Sequence, residues 1–327
     1  MMRILSVMAL VAAMTALAVA GKKPPAGTAA AKGNAPGAAV QTAPTTPQKV
    51  PTIAVMTLEN ASGKPDDEWM GIGFAETITA KLARLRNIRV VERRQIEKAT
   101  KEIALSQSGA VDPRSVVSAG KLLAANYLLI GSVQKLEAGA KSQLMVNTRV
   151  MNTESGELFQ TVTERGPYEG IFDLQDKLAL EVAAALAVPV SLDEKQALRR
   201  DETDSRGAYE FFWMGMAATD IAYKEQMYRK AIELDPKYVN ALANLASVLM
   251  VENIGQPLPD FAEAKRLAQQ AIALDSLVSE PHWILGSIYR REGDKQLAIK
   301  ELEAHLKLDP NSQYKDLVRK QLEKLRK

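Results

Sequence analysis

The chain has 327 residues, of which 46% are hydrophobic and 25% are charged, a composition typical of globular protein with about two domains. Its 42 basic and 39 acidic side chains leave a formal net charge of +3, and this balance argues against a dedicated nucleic-acid-binding protein. The absence of cysteine excludes disulfides, thiolate metal sites, cysteine nucleophiles and anchoring through an acylated cysteine.

The first residues have the pattern of an export signal. Arg3 precedes an apolar run from Ile4 to Ala20 that ends in Ala18-Val19-Ala20, which predicts a signal peptide over residues 1–20, cleaved after Ala20. An uncleaved anchor is the alternative, although the run is shorter than the roughly 20 residues that span a bilayer. Residues 21–51 are rich in alanine, glycine and proline, and they predict a disordered linker.

Residues 52–190 predict a mixed α/β domain with a mainly antiparallel sheet, which places the first half of the chain in the α+β class. The predicted strands cover 52–58, 88–91, 127–136, 143–150 and 158–165, and the predicted helices cover 66–85, 94–106, 113–124 and 172–186. Polar and apolar residues alternate in the strand over 143–150, and short turns flank it, so the last three strands should form an antiparallel meander. The helices are expected to cover one face of the sheet.

A charged segment over residues 191–206 is predicted to be a second linker, and helix pairs follow it. Leu234-Asp235-Pro236, Leu274-Asp275-Ser276 and Leu308-Asp309-Pro310 end three similar units over residues 207–312. The interval between the last two aspartates is 309 − 275 = 34 residues, and the earlier one is 275 − 235 = 40. The second half is therefore predicted to be an all-α solenoid, closed by a capping helix over residues 313–327.

The residues of this solenoid resemble the tetratricopeptide family. The last unit has Leu285-Gly286, Tyr289, Ala298 and Pro310 where that motif has Leu-Gly, Tyr, Ala and Pro. The resemblance implies stacked helix pairs that bind other proteins.

The first domain resembles two envelope families. The stretches 53–63, 151–157 and 171–176 are similar to TolB-like amino-terminal domains, and the stretches 90–109 and 120–132 are similar to the curli-secretion-channel family (CsgG-type). The channel family implies an acylated cysteine and extra membrane hairpins. This chain has no cysteine, and its meander turns are too short for such hairpins, so no pore is expected.

The sequence offers little for catalysis or cofactor binding. His282 and His305 are its two histidines, and both are interpreted as packing or surface residues. Gly71 and Gly73 start a dinucleotide-like pattern, but Glu76 occupies the third glycine position. We therefore expect no enzyme, no cofactor and no metal site.

The candidate partner-binding residues lie on the first helix of the last unit. Trp283, Ser287, Arg290 and Arg291 fall on one face at helical spacing, and tryptophan with arginine often anchors a protein interface. A partner segment with acidic residues would suit this face. The alternative is that Trp283 packs under the capping helix while both arginines are solvated.

These features together predict a non-enzymatic periplasmic protein that acts as a scaffold or adaptor. One role for such a protein is in outer-membrane assembly or secretion, and association with the outer membrane is an open alternative. Two alternatives are a ring-forming component of a curli-like secretion channel and an enzyme. The expected partners are envelope proteins or peptides bound by the repeats, and a second copy of the chain bound through the α/β domain. Nucleic acid is not expected, and membrane contact is expected only through partners or an uncleaved signal.

Overall fold

The structure is a computed structural model that describes residues 50–92, 95–96, 113–138, 141–250, 260–312 and 314–327. Residues 49–327 form one compact unit. The predicted signal peptide, nearly all of the first linker, and the helix predicted over 94–106 apart from residues 95–96 lie outside the described residues. Within the described residues, no helix is both long and apolar enough to cross a membrane.

The sheet is mixed, with an antiparallel meander as its larger part. Its strands are β1 (Thr52–Val55), β2 (Glu59–Asn60), β3 (Arg89–Val90), β4 (Tyr127–Ala138), β5 (Lys141–Asn152) and β6 (Leu158–Pro167). The described strands are ordered β3-β1-β4-β5-β6, and β2 pairs with β4 beyond the end of β1. Strand β1 is parallel to β3 and β4, whereas β5 is antiparallel to both of its neighbours, β4 and β6. The predicted α+β class and meander are confirmed.

Alternation along the strands sends neighbouring side chains to opposite faces, and helices cover both faces. One face, with Ile53 and Leu129, packs against α1 (Glu68–Ala83) and α3 (Ile171–Ala185). The other face, with Ala54 and Leu128, packs against α2 (Pro113–Leu123). Helices therefore cover the expected face and the opposite face as well, because β1 and β4 are apolar on both sides.

The segment predicted as a charged linker is folded against the sheet domain. Residues Leu192–Leu198 form α4, which begins with a capping box in which Ser191 and Glu194 bond to each other's backbone. A few residues later, Asp201 contacts α1 through Lys81. Charged residues in this segment therefore make specific contacts. The predicted domain boundaries at residues 190 and 207 stay a prediction.

In the described residues of the second half, the structure has three helix pairs and a final helix. They are α5 (Arg206–Ala217), α6 (Ile221–Leu234), α7 (Val239–Val248), α8 (Phe261–Leu274), α9 (Glu280–Glu292), α10 (Lys295–Leu308) and α11 (Lys315–Arg326). The side chains of Ser205, Asp220, Asp260 and Asp294 cap four of these helices by accepting a backbone N–H bond. The helical solenoid predicted from the repeat period is confirmed.

Glycine lets the two helices of a pair approach closely. A Cβ on Gly286 would lie 2.7 Å from the side chain of Leu302, and one on Gly215 would lie 2.5 Å from the ring of Tyr228. These glycines therefore serve helix packing rather than chemistry.

The final helix packs against the end of the solenoid through a narrow apolar face. Val318 and Leu322 are buried against Leu302 of α10, and Leu325 packs beside them. Leu317, the neighbour of Val318 in the sequence, is 47% exposed. Adjacent helical positions differ by about 100° in direction, so Leu317 and Val318 cannot both face α10.

Candidate functional site

An aromatic cluster joins the first repeat helix to the sheet domain. The ring of Tyr209 in α5 lies edge-on to Trp69 of α1 at 6.0 Å and to Phe172 of α3 at 5.4 Å between centroids. Its hydroxyl contacts Thr77 Oγ1 at 2.8 Å and accepts a bond from Gln175 Nε2 at 2.8 Å. Burial raises the pKa of the Tyr209 hydroxyl, which therefore stays neutral. The repeats are thus fixed to the sheet domain by a buried, hydrogen-bonded contact.

A buried cation strengthens the same junction. Lys81 of α1 is 1% exposed, and its Nζ donates to Asp176 of α3, to Asp201 at 2.7 Å and to the carbonyl oxygen of Leu198 at 2.7 Å. Three acceptors match the three N–H donors of an ammonium group. Burial raises the pKa of the Asp201 carboxyl, although its bond to Lys81 acts in the opposite direction. Lys81 therefore joins α1, α3 and the segment that contains Leu198 and Asp201.

A polar stripe runs along α7, the first helix of the second repeat. Asn240, Asn244 and Ser247 are partly exposed and follow one another at intervals of four and three residues, so they share one side of the helix. Glu202 lies at the start of the stripe and accepts a 2.7 Å bond from Asn240 Nδ2. Burial raises the pKa of the Glu202 carboxyl. This face offers amide, hydroxyl and carboxyl groups to a bound segment.

The last repeat presents equivalent positions on α9. If the Leu245-Ala246 pair is aligned with Leu285-Gly286, Ser247 corresponds to Ser287, and Asn240 corresponds to Glu280. Burial raises the pKa of the Glu280 carboxyl. The stripe on α7 was not predicted from the sequence. Ser247 could have been found by aligning the candidate residues of the last repeat with the preceding repeat.

The structure separates the four residues predicted to bind a partner. Trp283 stacks on Tyr314 with 4.2 Å between ring centroids and 3° between planes, and Ser287 is 9% exposed. Arg291 is exposed and places its guanidinium 4.4 Å from the ring centroid of Phe261 in α8. Arg290 is exposed at the end of the same helix. Partner binding by these residues stays a prediction, and the arginines are its accessible part.

Both histidines have structural contacts. His282 Nδ1 lies 2.6 Å from Glu301 Oε2. His305 Nδ1 donates to the Ser279 carbonyl at 2.9 Å, and its Nε2 lies 2.8 Å from Ser312 Oγ. In the part of the chain that the structure describes, no three histidine, aspartate or glutamate side chains are grouped to hold a metal ion.

Close packing also explains the glycine at the start of the dinucleotide-like pattern. A Cβ on Gly71 would lie 2.1 Å from the Leu58 carbonyl oxygen, and the Gly71 carbonyl accepts a 3.2 Å bond from Leu58 N. This glycine is required where α1 meets the segment after β1.

Two family models match the chain. Residues 37–144 match the curli production assembly/transport component CsgG, and residues 279–312 match the tetratricopeptide repeat. The first match begins before the described residues and ends within β5, so it covers the first part of the sheet domain.

Individual proteins are similar over parts of their length. A Rhizobium meliloti (strain 1021) protein that bears the name adenylate cyclase 3 is 28% identical over 266 residues, which are 76% of this chain and 42% of the relative. The first tetratricopeptide domain of Spaghetti (RPAP3), bound to an HSP90 peptide, has a TM-score of 0.32 and 22% identity, covering 38% of this chain and 96% of that domain. The LpoB carboxy-terminal domain of Escherichia coli has a TM-score of 0.28 and 17% identity, covering 36% of this chain and 82% of that domain.

This chain thus spans less than half the length of its cyclase-named relative. The two matched family models are not enzymatic. The chain combines a CsgG-type domain with tetratricopeptide repeats, a combination that indicates an envelope-associated role in protein interaction or secretion.

Proposed function

We propose that the protein is a non-enzymatic periplasmic scaffold whose repeats bind envelope proteins or peptides. The observation that carries this proposal is the polar stripe on α7, whose Asn240 is hydrogen-bonded to Glu202, the residue after Asp201 of the Lys81 cluster. A rigid mount lowers the entropy that a binding surface loses when it engages a partner.

The chemistry of the two repeat faces suits an extended peptide. The side chains of Asn240 and Asn244 can donate to and accept from a peptide backbone. Arg290 and Arg291 add two cations at the end of α9, and guanidinium groups bind carboxylates through paired hydrogen bonds. The proposed partner segment therefore has a free backbone edge and acidic residues.

Site-specific photocrosslinking in cells tests this proposal. A crosslinking residue at Asn244 or Arg290 should capture one and the same partner, whereas the same residue at exposed Lys300 on α10 should not. The variant Arg290→Ala should weaken capture at Asn244 and leave the melting temperature unchanged, since this side chain is exposed at the end of α9 whereas Arg291 also contacts Phe261. Equal capture at all three positions would contradict a specific repeat face.

Fractionation tests the proposed location. The processed chain should begin at Gly21 and be released with the periplasmic fraction, because residues 1–20 have the pattern of a cleaved signal. Intact Met1 in the membrane fraction would contradict cleavage and support an anchor.

The match to the CsgG model favours a second candidate, a ring-forming component of a secretion channel. Mass photometry of the purified protein would reveal rings, and conductance across planar bilayers would reveal a pore. The scaffold proposal predicts no conductance. Reproducible channels from detergent-stable rings would replace the scaffold with the transport candidate.

A further inference from the structure

A cavity of about 470 Å³ opens on the sheet domain, and its lining lies within residues 165–199, before the first repeat helix begins at Arg206. It lies among the end of β6, the first turns of α3, and α4 with the residue that follows it. This volume is within the range of small-molecule binding sites in proteins. Lys81 holds two of these elements together, because it binds both Asp176 of α3 and the Leu198 carbonyl of α4.

Four cationic side chains line the cavity, and they come from three different elements. They are Arg165, Lys177, Lys195 and Arg199. All four are exposed to solvent. Lys195 and Arg199 are four residues apart and therefore share one side of the short helix and its end.

These cations lack the close partners that other surface cations have. Arg206, Arg229 and Lys265 each have a carboxylate oxygen within 2.9 Å. In contrast, Lys177 lies 3.9 Å from Glu164. Among the described side chains, Arg165, Lys195 and Arg199 have no carboxylate within 4.0 Å.

The acidic residues of the lining only partly balance this charge. Asp173 and Asp176 are the two carboxylates, so the lining has a formal charge of 4 − 2 = +2. Asp176 is already bound to the buried ammonium of Lys81. Like charges gathered without partners raise the electrostatic potential of a cavity and attract an anion.

The floor of the cavity is apolar. Leu174 and Leu198 are buried there, and Leu180 is partly buried. Such a floor can contact the carbon skeleton of a ligand while the cations hold its charged group. A bare inorganic ion would leave this surface unused.

We propose that this cavity binds an organic compound that bears a phosphate group. Two guanidinium forks and two ammonium groups match an anionic phosphate group with several acceptor oxygens. The compound is either a free phosphorylated solute or the headgroup of a phospholipid, and the phosphate chemistry is common to both. This site is independent of the proposed partner face on α7 and α9.

The test measures binding of two probes to the purified full chain and to two matched double variants. The probes are glycerol phosphate, followed by calorimetry, and phosphatidylglycerol vesicles, followed by sedimentation against phosphatidylcholine vesicles. The test variant is Lys195→Gln with Arg199→Gln. The control is Arg319→Gln with Lys320→Gln on α11, which removes one lysine and one arginine from another exposed helix surface.

The test variant should bind the phosphate probe about tenfold more weakly, while the control should bind like the unchanged chain. Arg165→Gln should weaken binding as well, because it removes a fork contributed by β6. Binding of glycerol phosphate alone identifies a free solute, and binding of phosphatidylglycerol vesicles identifies a lipid headgroup. Equal loss in both double variants, or no phosphate binding at all, overturns the proposal. Binding of a polyglutamate peptide without phosphate binding also overturns it, in favour of an acidic protein segment.

Discussion

At the scale of single residues, the junction between the sheet domain and the repeats depends on buried side chains whose substitution is destabilising. Lysine side chains usually lie at the protein surface, yet Lys81 is 1% exposed and is surrounded by two carboxylates and a carbonyl oxygen. Removing one member of a buried ion cluster leaves the other charges without compensation. The cost of such a change therefore exceeds the net stabilisation that the intact cluster provides.

We predict that Lys81→Met lowers the free energy of unfolding by about 3 kcal/mol, since it leaves Asp176 and Asp201 without their cation. Urea denaturation measures the change. The control is Lys177→Met, whose side chain is 66% exposed and 3.9 Å from its carboxylate, and which should cost less than about 0.5 kcal/mol. Adding Asp176→Asn with Asp201→Asn to Lys81→Met should recover part of the loss. Equal costs for both lysines would contradict a buried cluster.

The stacked pair Trp283–Tyr314 is the second residue-scale test. Each single change to alanine should lower stability by about 1–3 kcal/mol, because each ring packs against the end of the solenoid. The double variant should lose about 1 kcal/mol less than the sum of the two single losses, since both singles remove one shared contact. Thermal or urea unfolding provides the double-mutant cycle. Strict additivity would show that the rings do not interact in solution.

At the scale of elements, consecutive repeats are linked by charge as well as by apolar packing. Arg229 of α6 forms two parallel bonds of 2.9 and 2.7 Å with Glu263 of α8, and a further 2.9 Å bond with Glu225. The bond to Arg229 lowers the pKa of the Glu263 carboxyl below its ordinary value of about 4.5. A lowered pKa means that folding favours the ionised form.

The sign of the pH effect follows directly. The contribution of Glu263 to stability is present above pH 4.5 and is lost as the pH falls through its lowered folded-state pKa. We predict that Glu263→Gln costs about 1 kcal/mol at neutral pH, discounted because Arg229 is 43% exposed, and that this difference shrinks at acid pH. Denaturation at several pH values measures it. Glu303→Gln, whose pair with Arg326 is more than half exposed on average, is the control and should cost less. A difference that grows towards acid pH would refute the assignment.

At the scale of the whole molecule, the sheet domain and the repeats behave as parts of one compact unit. The aromatic cluster around Tyr209 and the ion cluster around Lys81 both cross the boundary that the sequence predicts between them. Cooperative unfolding requires that such a boundary be stabilised comparably to the parts that it joins.

We predict that the compact unit over residues 49–327 unfolds in one calorimetric transition, and that Tyr209→Ala splits this transition into two. The change removes a buried ring and the hydrogen bonds to Thr77 and Gln175, so it weakens the boundary more than either part alone. Tyr223→Ala on the exposed side of α6 is the control and should keep a single transition. Two transitions in the unchanged chain would show that the parts are independent.

The sequence by itself determined the local elements and their order. Alternation in residues 143–150 predicted a paired strand, the 34-residue interval predicted stacked helix pairs, and Ser or Asp before several helices matches their observed caps. These signals are short-range, because a side-chain period or a cap involves residues a few positions apart. The family resemblance in residues 90–109 and 120–132 likewise agrees with the matched model over 37–144.

Only the tertiary structure decided which faces remain free. Trp283 and Ser287 have the same helical spacing whether they face a partner or the protein interior. The tryptophan is covered by Tyr314, which lies immediately before α11. Likewise, the charge of residues 191–206 predicts a linker, whereas in the structure this segment binds Lys81, which lies more than 100 positions earlier in the chain. Contacts between residues distant in the chain depend on how whole elements pack, and no local pattern of residues specifies that packing.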